Sequence, residues 1–210
     1  MGSPSANFCN FPKSTEDHYI LGLWCADGYH WTGTIGLSNI DLALIRRFRN
    51  FLLNLFPKER IKLSQYTTGK RKYVGYKLYV NCGALLKIFK SFKDGNERKL
   101  NNSEAIKAYI AGRFDGDGCI SRDLSRDCRI SYGNFQDAEL DYNLLQTIGI
   151  TRSKLYRYRT SNTFVIYISR FHTKKFVEAI NKYSIKLQKF ALGSRRDSDY
   201  TKIIRMAVDY

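Results

Sequence analysis

The spacing of apolar residues predicts a fixed order of helices and strands in the first half of the chain. Five apolar residues recur at helical spacing before Pro57: Leu42, Ile45, Phe48, Leu52 and Leu55. Farther along, Val74, Tyr76, Leu78 and Val80 alternate with Tyr73, Gly75, Lys77 and Tyr79, and the second set is expected to face outward. The predicted elements are a short β-like segment over Tyr29–Leu37, a helix over Asp41–Phe56, strands over Arg60–Thr67 and Tyr73–Asn81, and a helix over Ala84–Phe92.

The second half repeats this order. Its predicted elements are a hairpin of Cys119–Asp123 and Cys128–Tyr132, a helix over Ala138–Ile148, strands over Lys154–Thr160 and Phe164–Arg170, and a helix over Thr173–Tyr183. With a helix before each hairpin, the unit αββαββα occurs twice, so the expected fold class is α+β. Antiparallel sheets with one apolar face need helices on that face and leave the other face open.

A ten-residue pattern also occurs twice. Residues 19–28 read YILGLWCADG and residues 109–118 read YIAGRFDGDG, with Tyr, Ile, Gly, Asp and Gly in the same frame. A helix-start signal precedes each copy, at residues 14–17 and 102–104, so each copy reads as a helix that ends at its Asp-Gly. The duplication favours two similar halves that share an interface.

Small residues four apart mark one face of each repeated helix: Gly22 and Ala26, Gly112 and Gly116. Because glycine inside a helix costs roughly 0.5 to 1 kcal/mol, the repeated pairs predict close helix packing, which would bring Asp27 and Asp117 together. A carboxylate at a helix C-terminus opposes the helix dipole, and a divalent cation would relieve the repulsion between two of them. The alternative, an ordinary helix cap followed by a turn, explains one copy better than two.

The chain is strongly basic. Its 210 residues include 35 Lys and Arg against 19 Asp and Glu, a formal net charge of +16, and both halves contribute to the excess. The basic residues are spread among strand-like stretches with Tyr and Phe, which favours a folded surface for a nucleic acid over a basic tail. We find neither a run of about 18 apolar residues nor a signal-peptide pattern. Five cysteines without zinc spacing indicate an intracellular, reducing compartment, either a prokaryotic cytoplasm or an organelle.

The two segments Ile20–Gly28 and Ile110–Gly118 resemble the motifs of the LAGLIDADG homing endonucleases, in the single-chain form with two motifs. The resemblance extends from about Tyr19 to Leu192 in the order of elements. It implies two antiparallel sheets related by a pseudo-two-fold axis, which form a DNA-binding saddle with the motif helices packed at its centre. It also implies an intron-encoded, monomeric meganuclease that hydrolyses both strands of a long, near-asymmetric DNA site.

The resemblance further implies how the site works. Asp27 and Asp117 would bind Mg2+ or Mn2+ with Ala26 and Gly116 beside them, whereas Ca2+ would support binding without efficient cleavage. By position, Lys99 and Lys189 look like the basic residues of the two repeats. Cys25 stands where the second motif has Asp115, at a position that the family does not use for catalysis. Leu37 and Gly133 depart from the family, which often has a polar residue there.

Basic and aromatic residues of the strands and turns are the expected DNA contacts: Lys70, Arg71, Lys72, Lys77, Tyr79, Arg122, Arg126, Arg129, Lys154, Arg157 and Arg159. Turn residues are expected to meet phosphates, and strand residues are expected to read bases in the major groove. The expected division of the chain is an N-terminal extension (1–13), a first repeat (14–93), a linker (94–102), a second repeat (103–192) and a C-terminal extension (193–210).

Two other functions fit the same fold. One is a DNA-binding regulator without catalysis, and the other is a maturase that holds intron RNA. Retention of both Asp27 and Asp117 favours the nuclease over either. An intein is disfavoured, because the chain has neither a nucleophile at its start nor a His-Asn pair at its end. The three histidines have no ligand spacing, so histidine-based metal chemistry is not supported.

Overall fold

The elements occur in the predicted order in both halves. The computed structural model describes residue 8 and residues 11–68, 73–95, 98, 100–120 and 127–191. The first half contains α1 (Thr15–Asp27), β1 (Gly28–Trp31), β2 (Thr34–Asn39), α2 (Leu42–Leu53), β3 (Lys62–Thr68), β4 (Tyr73–Asn81) and α3 (Gly83–Lys93). The second half contains α4 (Ser103–Asp117), β5 (Gly118–Ile120), β6 (Cys128–Tyr132), α5 (Phe135–Thr147), β7 (Ser153–Tyr158), β8 (Thr163–Ile168), α6 (Arg170–Ile180) and α7 (Ile185–Ala191). The α+β class with a doubled αββαββα unit is confirmed.

The motif helices begin at the predicted caps. The backbone N–H of Asp17 donates to the Ser14 hydroxyl at 3.1 Å, and the Asp17 carboxylate accepts from the Ser14 N–H at 2.9 Å, which completes a capping box. Asn102 caps α4 in a simpler way, through Glu104 N–H at 2.8 Å. Every residue from Tyr19 to Cys25 is buried. A helix that is buried on all sides lies inside the molecule, and α1 and α4 form its centre.

Helices α1 and α4 are in backbone contact at their glycines. A Cβ atom added to Gly22 would lie 2.0 Å from the Tyr109 carbonyl oxygen, and one added to Gly112 would lie 2.1 Å from the Tyr19 carbonyl oxygen. Only a hydrogen fits at either position, because real Cβ atoms do not approach an oxygen so closely. The small-residue face is therefore the surface through which the two halves pack.

Each half has one four-stranded antiparallel sheet, in the orders β1-β2-β4-β3 and β5-β6-β8-β7. Residues paired across antiparallel strands share a face. In the first sheet Leu37 pairs with Leu78, and both are fully buried against helices. In the second sheet Ile130 pairs with Ile166, and both are again fully buried. The alternate residues of each sheet form its open face, as the sequence pattern predicts.

Some details differ from the sequence expectation. The β-like segment predicted over Tyr29–Leu37 is the expected pair of strands and turns at Gly33 with a φ of +73°, but its second strand continues to Asn39. Val74, expected on the inner face, is 48% exposed near the end of its strand, beyond the cover of the helices. A short 3-10 helix at Lys58–Arg60 replaces the predicted start of β3, and α7 adds a helix to the predicted set. No helix within the described ranges is long and apolar enough to span a membrane.

Candidate functional site

The two repeated Asp-Gly pairs meet where the motif helices end. Asp27 and Asp117 are the last residues of α1 and α4. A Cβ atom added to Gly116 would lie 2.4 Å from the Ala26 Cβ and 2.9 Å from Oδ2 of Asp27. The close packing that begins at Gly22 and Gly112 therefore continues to the helix ends, and it brings the two carboxylates into one region.

Asp27 lies in a partly buried position beside one amide. The Asn39 side chain donates from Nδ2 to Oδ2 of Asp27 at 2.7 Å. Burial, followed by the negative charge of Asp117, raises the pKa of Asp27 to about 6, although the bond from Asn39 acts in the opposite direction. Asn39 is itself fixed, because its Oδ1 accepts from the backbone N–H of Asp41 at 2.6 Å. Sequence reasoning did not identify Asn39 as part of the site.

Asp117 is similarly placed. Burial raises the pKa of Asp117, and the positive charges of Arg113, Lys186 and Lys93 oppose that effect. Among the residues that the structure describes, neither Asp117 nor Asp27 forms an ion pair. Two partly buried carboxylates that have nearby cations, but no ion-pair partner among the described residues, form a site for a cation or for a charged substrate.

Lys186 and Arg113 are the two basic residues whose charges act on both carboxylates. The Nζ of Lys186 donates to the carbonyl oxygens of Phe114 at 3.0 Å and Gly118 at 2.6 Å, which lie on either side of Asp117 in the chain. Its positive charge lowers the pKa of Asp27 as well as that of Asp117. Burial lowers the pKa of Lys186 itself, and the neighbouring carboxylates oppose that change.

The structure describes only one of the two lysines of the sequence prediction. Lys189 lies one turn beyond Lys186 on α7 and pairs with both oxygens of Asp41, at 2.6 and 2.5 Å. This ion pair joins the end of the second repeat to the N-cap of α2. Lys99 falls outside the described residues. Of the lysines on α7, Lys186 rather than Lys189 is directed to the motif carboxylates.

Asp115 explains why Lys186 takes this position. Its carboxylate accepts the Tyr19 hydroxyl at 2.6 Å and the backbone N–H groups of Ile185 at 2.7 Å and Lys186 at 3.2 Å. It also accepts from the Ser184 hydroxyl. A carboxylate at the start of α7 thus sets the orientation of the short helix.

The first motif has Cys25 in place of that aspartate, and another part of the fold supplies the carboxylate. Tyr109, the counterpart of Tyr19, donates to Oδ1 of Asp141 on α5 at 2.9 Å. Asp141 also pairs with Arg113 at 3.1 Å and with Arg98 at 3.2 Å. All of these side chains are buried, so their charges are matched inside the protein rather than in solvent.

The open faces carry several of the predicted DNA contacts. Lys77 pairs in register with Ser38 and Ser64. It lies on the opposite face of the sheet from its neighbour Leu78, which is buried. Tyr79, Arg129 and Lys154 occupy the corresponding open positions of their strands. Arg129 pairs with Asp127 at 3.1 Å, and its guanidinium carbon is 5.8 Å from the centre of the Tyr167 ring.

Other predicted contacts lie elsewhere. Arg157 pairs in register with Phe164, on the same side as the buried Ile166, and its guanidinium carbon lies 5.6 Å from the Phe164 ring centre. It is therefore on the helix side of β7, not on the open face. The alternation of Lys154 with Leu155 in the sequence already indicated that Arg157 lies on the same face as Leu155. Arg159 is exposed in the turn after β7. Five predicted contacts lie outside the described residues: Lys70, Arg71, Lys72, Arg122 and Arg126.

Tyrosines contribute more to the open face of the first sheet than the sequence indicated. The Tyr66 ring lies directly over Gly75, since a Cβ atom there would be 2.4 Å from its Cζ. The Tyr66 hydroxyl is 2.8 Å from the Ser38 hydroxyl, and Lys77 Nζ is 5.1 Å from the ring centre. Tyr29 covers Gly36 in the same way. The surface is thus aromatic as well as basic.

The oxygen ligands near the two carboxylates suit a hard cation that takes its remaining ligands from water and substrate. The described residues contain no group of three or more His, Cys, Asp or Glu side chains arranged to hold a metal. Mg2+ usually binds one or two carboxylates and takes its remaining ligands from water and substrate phosphates. Asp27 and Asp117 match that requirement. Ala26 and Gly116 add carbonyl oxygens from the last helical turns, where intrahelical partners are missing.

Comparison with known families agrees with this architecture. The family described as LAGLIDADG-like domain matches residues 14–92. The second copy of the motif, at the end of α4, repeats the first in sequence and in position. Residues 14–92 of this chain therefore form a LAGLIDADG-like domain. Among curated proteins, the DNA-directed RNA polymerase subunit Rpo1C of Methanocaldococcus jannaschii is 24% identical over 196 residues. That alignment covers 88% of this chain but 22% of the subunit, so the chain spans about a fifth of its curated relative.

Solved structures show the same LAGLIDADG fold. The crystal structure of I-DmoI in complex with DNA and Mn has a TM-score of 0.59 and 20% identity, and the match covers 79% of this chain and 96% of that one. Full-length WhiA from Thermatoga maritima has a TM-score of 0.58 and 18% identity, with coverage of 96% and 64%. I-DmoI has also been solved in complex with DNA and Ca. At these identities the likeness establishes the fold, including the two sheets around a central helix pair.

Proposed function

We propose that this protein is a site-specific endonuclease that cleaves both strands of double-stranded DNA with divalent cations. The observation that carries the proposal is the meeting of two partly buried carboxylates, Asp27 and Asp117, at the end of the packed motif helices, where neither has an ion-pair partner among the described residues. The complex of the structurally similar I-DmoI with DNA and Mn supports it. Both motifs lie on one chain, so we expect the protein to act as a monomer.

Each residue of the site has a role in this proposal. Asp27 and Asp117 hold the cations, and Asn39 fixes the orientation of the Asp27 carboxylate. Lys186 places a positive charge where a scissile phosphate would gain negative charge. When bound, a divalent cation supplies an activated water and stabilises the charges on the phosphate and the leaving oxygen.

The open faces would bind the DNA. A β-sheet face fits the major groove, where basic side chains read base edges while phosphate contacts supply much of the affinity. Lys77, Lys154 and Arg129 are placed for such contacts. The net charge of +16 favours binding to a polyanion and predicts affinity that falls steeply with salt.

A cleavage assay on a randomised duplex library with Mg2+ tests the proposal. Asp27→Asn and Asp117→Asn are each expected to abolish double-strand cleavage and to leave duplex binding within a few-fold of wild type. The exposed carboxylates Glu59 and Glu139 provide matched controls, one in each half, as Glu59→Gln and Glu139→Gln. Cleavage by either aspartate variant at the wild-type rate would contradict the assignment.

A second function, DNA binding without cleavage, is favoured by two positions. Leu37 is fully buried on the helix side of β2, and Gly133 has no side chain, so neither can position a water. In this alternative the same assay gives specific binding and no cleavage with Mg2+ or Mn2+. Specific cleavage by the wild type excludes it.

A further inference from the structure

A phenylalanine on the helix side of the second sheet is exposed to solvent beside two guanidinium groups. Phe171, near the start of α6, is 66% exposed. The guanidinium carbon of Arg170 lies 4.9 Å from the ring centre, and that of Arg152 lies 5.6 Å from it. We call Arg152, Arg170, Phe171, His172 and Lys175 the Phe171 platform. Its helix packs into the core through Phe176, so the platform lies outside the open sheet faces.

The platform is fixed by bonds between two segments of the chain. The backbone N–H of Arg152 donates to Nδ1 of His172 at 3.2 Å, and its carbonyl accepts the N–H of Ser169 at 3.1 Å. Lys175 Nζ donates to the Gly149 carbonyl oxygen at 2.8 Å. The loop before β7 and the first turn of α6 therefore hold Arg152 beside Phe171 without any ligand. Such preorganisation lowers the entropic cost of binding.

The charges on this surface are nearly all positive. The acidic residue on the next turn of α6, Glu178, is 3.9 Å from Lys174. An exposed ring within 6 Å of two guanidinium groups offers apolar surface for stacking together with charges for phosphates. In a duplex the base faces are covered by their neighbours, whereas an unpaired base can cover the ring. An acidic protein or an anionic lipid would match the cations but offers no planar base for Phe171.

We propose that the Phe171 platform binds single-stranded nucleic acid, with one base stacked on Phe171 and the flanking phosphates held by Arg152 and Arg170. This activity is separate from the proposed cleavage of duplex DNA. A bound strand would leave the two motif carboxylates and the open sheet faces accessible. The base and phosphate are common to RNA and DNA, so the two sources are compared directly in the test.

Fluorescence anisotropy on the full chain, with labelled 15-nucleotide single-stranded RNA, single-stranded DNA and duplex DNA of mixed sequence, tests the proposal. Loss of one base–aromatic stack is expected to weaken single-strand binding roughly 5- to 100-fold in Phe171→Ala. Phe171→Tyr should retain binding, and Phe171→Leu should lose it because leucine is apolar but has no ring. Duplex affinity should stay within two-fold in all three.

A charge-matched control separates the platform from general electrostatics. Arg152→Ala/Arg170→Ala is compared with Lys87→Ala/Lys90→Ala, which removes two exposed lysines of α3. Only the first pair should weaken single-strand binding beyond the common effect of lower net charge. Wild-type affinity of Phe171→Ala for both single strands would overturn the proposal. The proposal would also be overturned if Phe171→Ala lost affinity equally for duplex and single strands. It would be overturned as well if the variant lost affinity only for vesicles of anionic phospholipid.

Discussion

Replacement of Asp27 by asparagine is expected to stabilise the protein at neutral pH when divalent cations are absent. Burial, and then the charge of Asp117, raises the pKa of Asp27 to about 6. In the unfolded chain an aspartate titrates near a pKa of about 3.9. Between these values the folded state keeps a proton that the unfolded state has released. Stability from this group is therefore present below about pH 4 and is lost as the pH rises through about 6.

The size of the effect follows from the two pKa values. Their difference corresponds to an upper limit of about 3 kcal/mol at neutral pH, and residual contact with solvent reduces it to roughly 1 to 3 kcal/mol. Asparagine has nearly the same shape, and its side-chain oxygen can accept the bond that Asn39 now donates at 2.7 Å. The variant therefore removes the charge and leaves the packing of the helix ends unchanged.

Urea unfolding of wild type and Asp27→Asn in EDTA, at pH 7.5 and at pH 4, measures the effect, with Glu59→Gln as the exposed control. The variant should be more stable at pH 7.5 and equal to wild type at pH 4. With Mg2+ at a hundred times its dissociation constant, the wild type should gain about 2.7 kcal/mol and the variant much less. The reasoning would be refuted if Asp27→Asn were less stable than wild type at pH 7.5 in EDTA. It would also be refuted if the variant were still more stable than wild type at pH 4.

Three further predictions concern packing, catalysis and DNA reading. Gly112→Leu should cost at least about 3 kcal/mol, since even its Cβ would lie 2.1 Å from a backbone oxygen of α1, and an unchanged thermal midpoint would contradict the close packing. Lys186→Met should lose cleavage but keep duplex binding in single-turnover assays, whereas Lys189→Met should cleave within several-fold of wild type; the reverse order would reject the role given to Lys186. Arg129→Ala should change base preference at one or two positions selected from a randomised duplex pool, by roughly 1 to 3 kcal/mol per lost bidentate contact. Arg157→Ala should not change base preference. The same change of base preference in both variants would contradict the assignment of Arg129 to the open face and Arg157 to the helix side.

Local patterns were sufficient for the central helix pair and for the other described elements except α7 and the short 3-10 helix. The capping residues and the Gly22 and Gly112 positions lie within the repeated segments, so the helix starts and their contact face could be predicted from the sequence. Strand alternation gave β4 and β6 with their observed bounds. It failed at Val74, because the length over which helices cover a strand depends on tertiary packing and not on alternation.

Local patterns could not decide whether Lys186 or Lys189 lies near the motif carboxylates. The two residues are three apart on a seven-residue helix, so they lie on neighbouring parts of its surface and either spacing is compatible with the site. The orientation of α7 is decided by Asp115, which lies about seventy positions earlier and accepts from its first backbone N–H groups. A contact over such a separation leaves no local signal in the sequence.

The first motif shows why pseudo-symmetry is an unreliable guide to individual charges. By symmetry with Asp115, a reader would expect Cys25 to leave Tyr109 without a carboxylate partner. Instead Asp141 reaches Tyr109 from α5, and its second oxygen binds Arg113, whose charge acts on both Asp27 and Asp117. The second motif thus has a buried cation, Arg113, one turn before its terminal aspartate, where the first motif has Leu23. Since a buried positive charge favours ionised carboxylates, we expect this asymmetry to give the two aspartates unequal affinities for a cation even though their motifs match.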